Sequence, residues 1–304
     1  MTVPDLTPSQ VAAGVIDASR PWFQQASHGL FAGYFALKRG PVTVQTTTTV
    51  CTKEWLNEIA KKANDAILAH EPSLDPTKMG GVVYYFGKVH ACATPNPDAP
   101  DGAGGWGDQP GNRVWLNGEA DLRIAAHELG HNLGLGHAGS KSCTDPFGRR
   151  APFDISCDDD QYGDKYSSMG NELSDTYSAP QLKQLGWNDG QVADVFPTDA
   201  TTHYVVTASE ADAPGTTKVV RLWDGAETFW LEYRKINGPT SDGFNGGLIV
   251  RIERTALPKD TGAPFLLFMN DPDGEGINER TPADGRRPDV GQPAREVARD
   301  IELR

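Results

Sequence analysis

The stretch His127-Glu128-Leu129-Gly130-His131-Asn132-Leu133-Gly134-Leu135-Gly136-His137 decides how this chain is read. Residues four apart share one face of a helix, so His127 and His131 can offer two imidazole nitrogens to one ion. Glu128, beside the first of them, cannot reach that ion in the same way and is placed to contact a water at the metal. Gly134 permits a positive φ, which turns the chain so that His137 returns to the same ion. Three protein nitrogens leave a fourth position open, the mark of a catalytic rather than a closed structural zinc site. The pattern fixes five positions, and chance would produce it in a chain of this length about once in ten thousand or less. The expected zinc ligands are therefore His127, His131 and His137, with Glu128 as the catalytic base.

Working outward, Glu119 to about Leu133 reads as the helix that carries the first two ligands, with Leu122, Ala125, Ala126 and Leu129 apolar. Upstream, Arg113–Leu116 is a brief strand closed by the Asn117-Gly118 turn, and Val82–Phe86 is a short buried strand. Lys53–His70 is the clearest helix: Trp55, Ile59, Ala63, Ala66 and Ile67 recur at helical spacing, and Pro72 stops the run. A further helix is expected from Ser9 to Gln25, strands over Leu30–Leu37 and Val42–Val50, and a loop over Pro95–Gly111. Past the motif, Gly136–Gly163 is loop-rich and Ser178–Leu185 reads as a helix. From Asp199 the pattern changes to short alternating strands at Tyr204–Ala208, Lys218–Leu222, Thr228–Tyr233 and Leu248–Glu253, which suggests a β-sandwich. The fold class is α+β, with a zinc-site domain over 1–198 and a smaller all-β, sandwich-like accessory domain over 199–304.

His127 to His137 resembles the extended zinc motif of the metzincin metallopeptidases. Tyr166-Ser167-Ser168-Met169-Gly170, about thirty residues on, resembles their methionine-bearing turn. Ala138 after the third histidine, Tyr162-Gly163-Asp164, and Ser178-Ala179-Pro180 with Leu185-Gly186-Trp187 look most similar to the gametolysin type within that clan. The resemblance runs from about Val82 to Trp187. It implies a twisted mixed sheet with helices around a zinc cleft, and Met169 as a hydrophobic floor beneath the three imidazoles. The implied activity is that of a zinc endopeptidase, hydrolysing peptide bonds of protein substrates through a zinc-bound water activated by Glu128. An edge strand pairing with extended peptide is implied as well, and Arg113–Leu116 is the candidate. Ser168–Ser178 would shape the pocket for the substrate side chain. No tyrosine follows Met169 by two residues, so a tyrosine ligand is not evident; Tyr166 and Tyr177 are the candidates to help at the oxyanion. Every residue assigned to chemistry precedes Trp187, so the second domain is expected to be dispensable for short peptides.

Composition narrows the partners. With 28 basic against 41 acidic residues the net charge is −13, which repels phosphate backbones and argues against nucleic acid. No apolar run approaches the 18 residues of a membrane span. A protein or peptide substrate is the expected partner, and a monomer the expected state. Four cysteines without a CxxC pair fit two disulfides in an extracellular protein. Three connectivities are open, and the one that staples each region locally is Cys51–Cys92 with Cys143–Cys157. The start, Met1-Thr2-Val3-Pro4-Asp5, is not a signal peptide. A secreted protein is nevertheless expected, in mature or trimmed form or exported by another route. Asp158-Asp159-Asp160 with Asp164 is a possible calcium site, although EF-hand spacing is missing. His28, His70, His90 and His203 have no ligand spacing. Competing readings are an adhesion protein built on a peptidase scaffold, which would have no use for Glu128, and a zinc hydrolase of peptidoglycan peptides.

Overall fold

The computed structural model describes residues 6–32, 42–46, 51–89, 104–143, 146–147, 157–196, 201–211, 213–224, 227–235, 246–254, 264–267 and 299–303. It is a mixed α+β structure whose residues group into two units, 1–25 with 29–136 and 26–28 with 137–304. The strand expected over Leu30–Leu37 falls mostly outside the described residues, as do Cys92, His90, the first part of the Pro95–Gly111 loop and most of the chain after 267.

In the first unit a three-stranded sheet separates two helical layers. β1 (Val82–Phe86) runs parallel to β3 (Arg113–Asn117), and β2 (Gly105–Gly107) lies antiparallel to β3, giving the order β1-β3-β2. Strand alternation sorts the side chains between the faces. Tyr84, Phe86 and Trp115 pack with Trp55, Leu56, Ile59, Ala60 and Ala63, the apolar stripe of α3 (Lys53–His70), and Trp106 joins them. The Trp115 indole donates to the Leu56 carbonyl at 3.0 Å. Val114 and Leu116 face the other way, with Val15, Ile124 and Ala125.

The motif helix, α4 (Leu122–Asn132), lies on that second face. It starts three residues later than the apolar pattern suggests because Asp121 caps it, accepting from the Ile124 N–H at 3.0 Å. Packed on its start is a continuous helical segment of α1 (Pro8–Val11), a π-helical stretch (Ala12–Asp17) and α2 (Ala18–Ala26). Gly14 lets this segment close on the Ala120 carbonyl, where a Cβ would collide with the oxygen. Residues 42–46 form no ladder, although Val42 and Val44 still pack against the α3 cluster.

The second unit is dominated by a seven-stranded sheet in the order β5-β4-β11-β10-β9-β8-β6. Its strands are β4 (Gly139–Cys143), β5 (Cys157–Asp160), β6 (Val192–Val195), β8 (Val219–Asp224), β9 (Glu227–Arg234), β10 (Gly247–Arg254) and β11 (Phe265–Leu267). β7 (Thr202–Val206) pairs separately with β12 (Arg299–Leu303), and the short α5 (Ala179–Gln184) packs Ala179 against Val219 and Trp230. The boundary expected at 198/199 falls inside this sheet: β11 pairs with β4, and β8 with β6. The strands expected to make a separate sandwich thus share a sheet with strands before residue 198. Within it, Cys143 and Cys157 sit opposite each other on β4 and β5 and form a disulfide, as expected. No helix is long and apolar enough to cross a membrane among the described residues.

Candidate metal centre

α4 presents His127 and His131 one turn apart, their rings edge to face with centroids 4.9 Å apart. The helix then ends in a Schellman arrangement. Gly134 takes φ 93°, its N–H donates to the His131 carbonyl at 2.8 Å, and the Leu135 N–H donates to the Gly130 carbonyl at 3.0 Å. That stop reverses the chain and brings in His137. One ligand atom from each of His127, His131 and His137 lies within 4.8 Å of the others, so the trio could hold a metal ion. All three come from eleven consecutive residues, so the cluster is set by local chain geometry.

The donor set suits a cation such as zinc. His131 Nδ1 lies 2.8 Å from the Leu135 carbonyl, and since a carbonyl only accepts, Nδ1 carries the proton. The remaining nitrogen, Nε2, is then left with its lone pair, the tautomer a metal needs. Burial lowers the His131 pKa, with the Leu135 contact acting the other way, which keeps the ring neutral and ready to ligate.

Glu128, next to His127 in the chain, is buried and lies against β2. A Cβ on Gly105 would sit 2.8 Å from the Glu128 Cγ, and one on Gly107 would meet the Glu128 carbonyl oxygen and lie 3.0 Å from the His131 Cβ. Only a strand without side chains on this face can pass so close to the helix. Trp106 between them points to the α3 side and holds the strand down. Burial pushes the Glu128 carboxyl up to about 8, against the pull of Arg123 and of a hydrogen bond from the Gly107 N–H. A divalent cation on the neighbouring imidazoles would act in the opposite direction and favour the carboxylate.

No family model matches the chain, and no curated protein or solved structure does either.

His137 belongs to the second unit and is met by a loop of that same unit. Tyr162 packs on the His137 ring with centroids 4.0 Å apart. Ala138, the next residue, donates its N–H to the Met169 carbonyl at 2.9 Å and accepts from the Asp164 N–H at 3.1 Å. The loop is fastened from behind by buried charge. Arg251 on β10 grips both Asp164 oxygens, Nε to Oδ2 at 2.6 Å and Nη2 to Oδ1 at 3.2 Å, and pairs with Glu232. Arg234 on β9 donates to the Tyr166 carbonyl at 2.8 Å and to the Ser174 hydroxyl at 3.1 Å, and pairs with Glu210. Burial works to raise the Glu232 pKa, but Arg251 and Arg234 outweigh it and hold the carboxyl below its ordinary value.

Several sequence expectations are corrected. Arg113–Leu116 is not an edge: β1 and β2 occupy both of its sides and are the two outer strands of the sheet among the described residues. Tyr177 is fully buried against Trp187, and Tyr166 is buried with Ile249 and Leu266. The four aspartates considered for calcium do not converge. Asp164 is engaged by Arg251, Asp159 pairs with Lys141, and the histidine trio is the one metal-type cluster among the described residues. Sequence reasoning quoted Tyr162 only as part of a resemblance and gave it no role, and it missed Glu232, Arg234 and Arg251. The period-two placement of Glu232 and Arg234 after the apolar run Phe229-Trp230-Leu231 was the available signal.

Proposed function

We propose that the chain is a zinc-dependent endopeptidase of the metzincin kind, most similar to the gametolysin type, acting on protein substrates. The observation that carries this reading is the histidine trio together with the buried carboxylate of Glu128, the residue next to His127 in the chain. A structural metal site has no use for such a carboxylate. His127, His131 and His137 would hold the ion. When bound, zinc supplies a Lewis acid that polarises the scissile carbonyl and lowers the pKa of water. Glu128 takes the proton of the attacking water on a carboxylate oxygen and returns it to the leaving amine nitrogen. The Gly107 N–H, hydrogen-bonded to Glu128, orients that carboxylate.

β2, rather than β3, is the strand suited to pair with an extended peptide. Its one ladder among the described residues is with β3; the Gly107 N–H is taken by Glu128, so the Gly105 main-chain groups and the Gly107 carbonyl are the outward groups that would meet a substrate. The Cys143–Cys157 disulfide supports a place for the protein in an oxidising, extracellular setting.

Glu128 and the histidines separate in one experiment. Glu128→Ala should keep one equivalent of zinc and a native circular dichroism spectrum while peptide turnover falls about 10²–10⁴-fold. His131→Ala should lose metal and turnover together. Turnover near wild type in Glu128→Ala would sink the mechanism.

A further inference from the structure

We propose that the loop from Asp160 to Asn171 is the positioning element for His137, with Tyr162 bearing on the imidazole and Arg251 as the anchor. The inference rests on the metal-site reading above and adds to it the device that holds the third ligand. His127 and His131 are fixed by the helix that bears them, whereas His137 follows a glycine and lies outside any helix or strand. Something else must hold its ring.

The contacts run in an unbroken series. Arg251 takes the Asp164 carboxylate in a two-pronged grip, and its Nη2 also donates to the Tyr166 carbonyl at 3.3 Å. The Asp164 carboxylate accepts from the Tyr166 N–H at 2.9 Å, which sets the turn. From the same residue, the Asp164 N–H donates to the Ala138 carbonyl while the Ala138 N–H donates to the Met169 carbonyl. The residue next to His137 is therefore clamped on both main-chain groups. At the other end of the loop the Asn171 N–H donates to the Tyr162 carbonyl at 3.0 Å, and the Tyr162 ring lies on His137. Gly170 makes the closure possible, since a Cβ there would run into the Asp164 carbonyl oxygen.

A role in sheet stability alone explains this less well. Replacing a buried ion pair by apolar packing is commonly neutral or favourable, so two buried arginines on adjacent strands call for a further reason. Here both reach past the sheet to the same carbonyl, that of Tyr166, and to loop groups on either side of it. Partners beyond the ligands that orient them typically change metal affinity by about 10–100-fold when removed.

The test is zinc affinity of the full chain, by competition with a chromogenic chelator, alongside the visible spectrum of the cobalt-substituted protein. Thermal unfolding of each metal-free variant is recorded separately. Tyr162→Leu, which leaves the ion cluster intact, and Arg251→Lys, which keeps the charge but loses the fork, should each bind zinc about 10–100-fold more weakly and shift the cobalt bands. Tyr162→Phe, which keeps the ring, should match wild type, as should His70→Ala. Unchanged zinc affinity and cobalt spectrum in Tyr162→Leu would overturn the inference, as would an Arg251→Lys protein that loses only thermal stability. Should Arg251→Lys not fold, Tyr162→Leu decides alone. A wild-type chain that takes up no zinc would instead bring down the metal reading, and the inference with it.

Discussion

His131 Nδ1 meets the Leu135 carbonyl because α4 stops where it does. The glycine that ends the helix also sets the carbonyl that selects the tautomer of His131, so one residue governs both the return of the chain and the chemistry of a nitrogen. Gly134 sits at φ 93°, where an L side chain presses Cβ on the following carbonyl. Gly134→Ala should lower stability by about 1–2 kcal/mol in thermal or urea unfolding. It should also weaken zinc binding, because the Leu135 carbonyl is displaced from His131. A variant with wild-type stability and zinc affinity would show that the left-handed turn is not required.

Among the elements, the order β1-β3-β2 corrects the choice of edge strand, and β2 shows why the sequence hid it. Gly105-Trp106-Gly107 has no apolar alternation of its own, and its ladder comes from β3 and from the packing of Trp106. β4 and β5 escaped notice for the same reason: Gly-Ser-Lys-Ser-Cys and Cys-Asp-Asp-Asp are polar, and pairing across a disulfide places them in the sheet. Where periodicity was strong, in α3, α4, β1, β9 and β10, the elements stand within a few residues of expectation. The histidine trio was legible because its spacing is local. The arginine anchors were not, since Asp164 and Arg251 are 87 residues apart and only the fold brings them together. That sheet also argues against the expectation that residues 199–304 are dispensable. Removing them takes away β8 and β11, the partners of β6 and β4, together with both arginines. A fragment ending at residue 198 should show no cooperative unfolding and no stoichiometric zinc uptake. A folded fragment that hydrolyses short peptides would restore the earlier view.

Over the whole molecule the net charge is −13, and the second unit buries a compact cluster of both signs. Glu232 links this cluster to pH. Its folded pKa lies below the ordinary 4.5, so its contribution is present above about pH 4.5 and is lost as pH falls through the folded value. The stability difference between wild type and Glu232→Gln should therefore be largest near neutral pH and shrink on acidification below about 4.5, measured by urea unfolding at a series of pH values. A difference that stays constant down to pH 3 would contradict it. Breaking one member of such a buried set costs roughly 3–5 kcal/mol, because the remaining charge has no water to turn to. Asp164, Glu232 and Arg251 consequently behave as one locus under mutation. A single change at any of them strands a charge, whereas a joint exchange for apolar residues can leave the sheet standing. Drift through these positions is gated: the chain must cross an unstable intermediate or change several sites together, although they lie far apart in the gene.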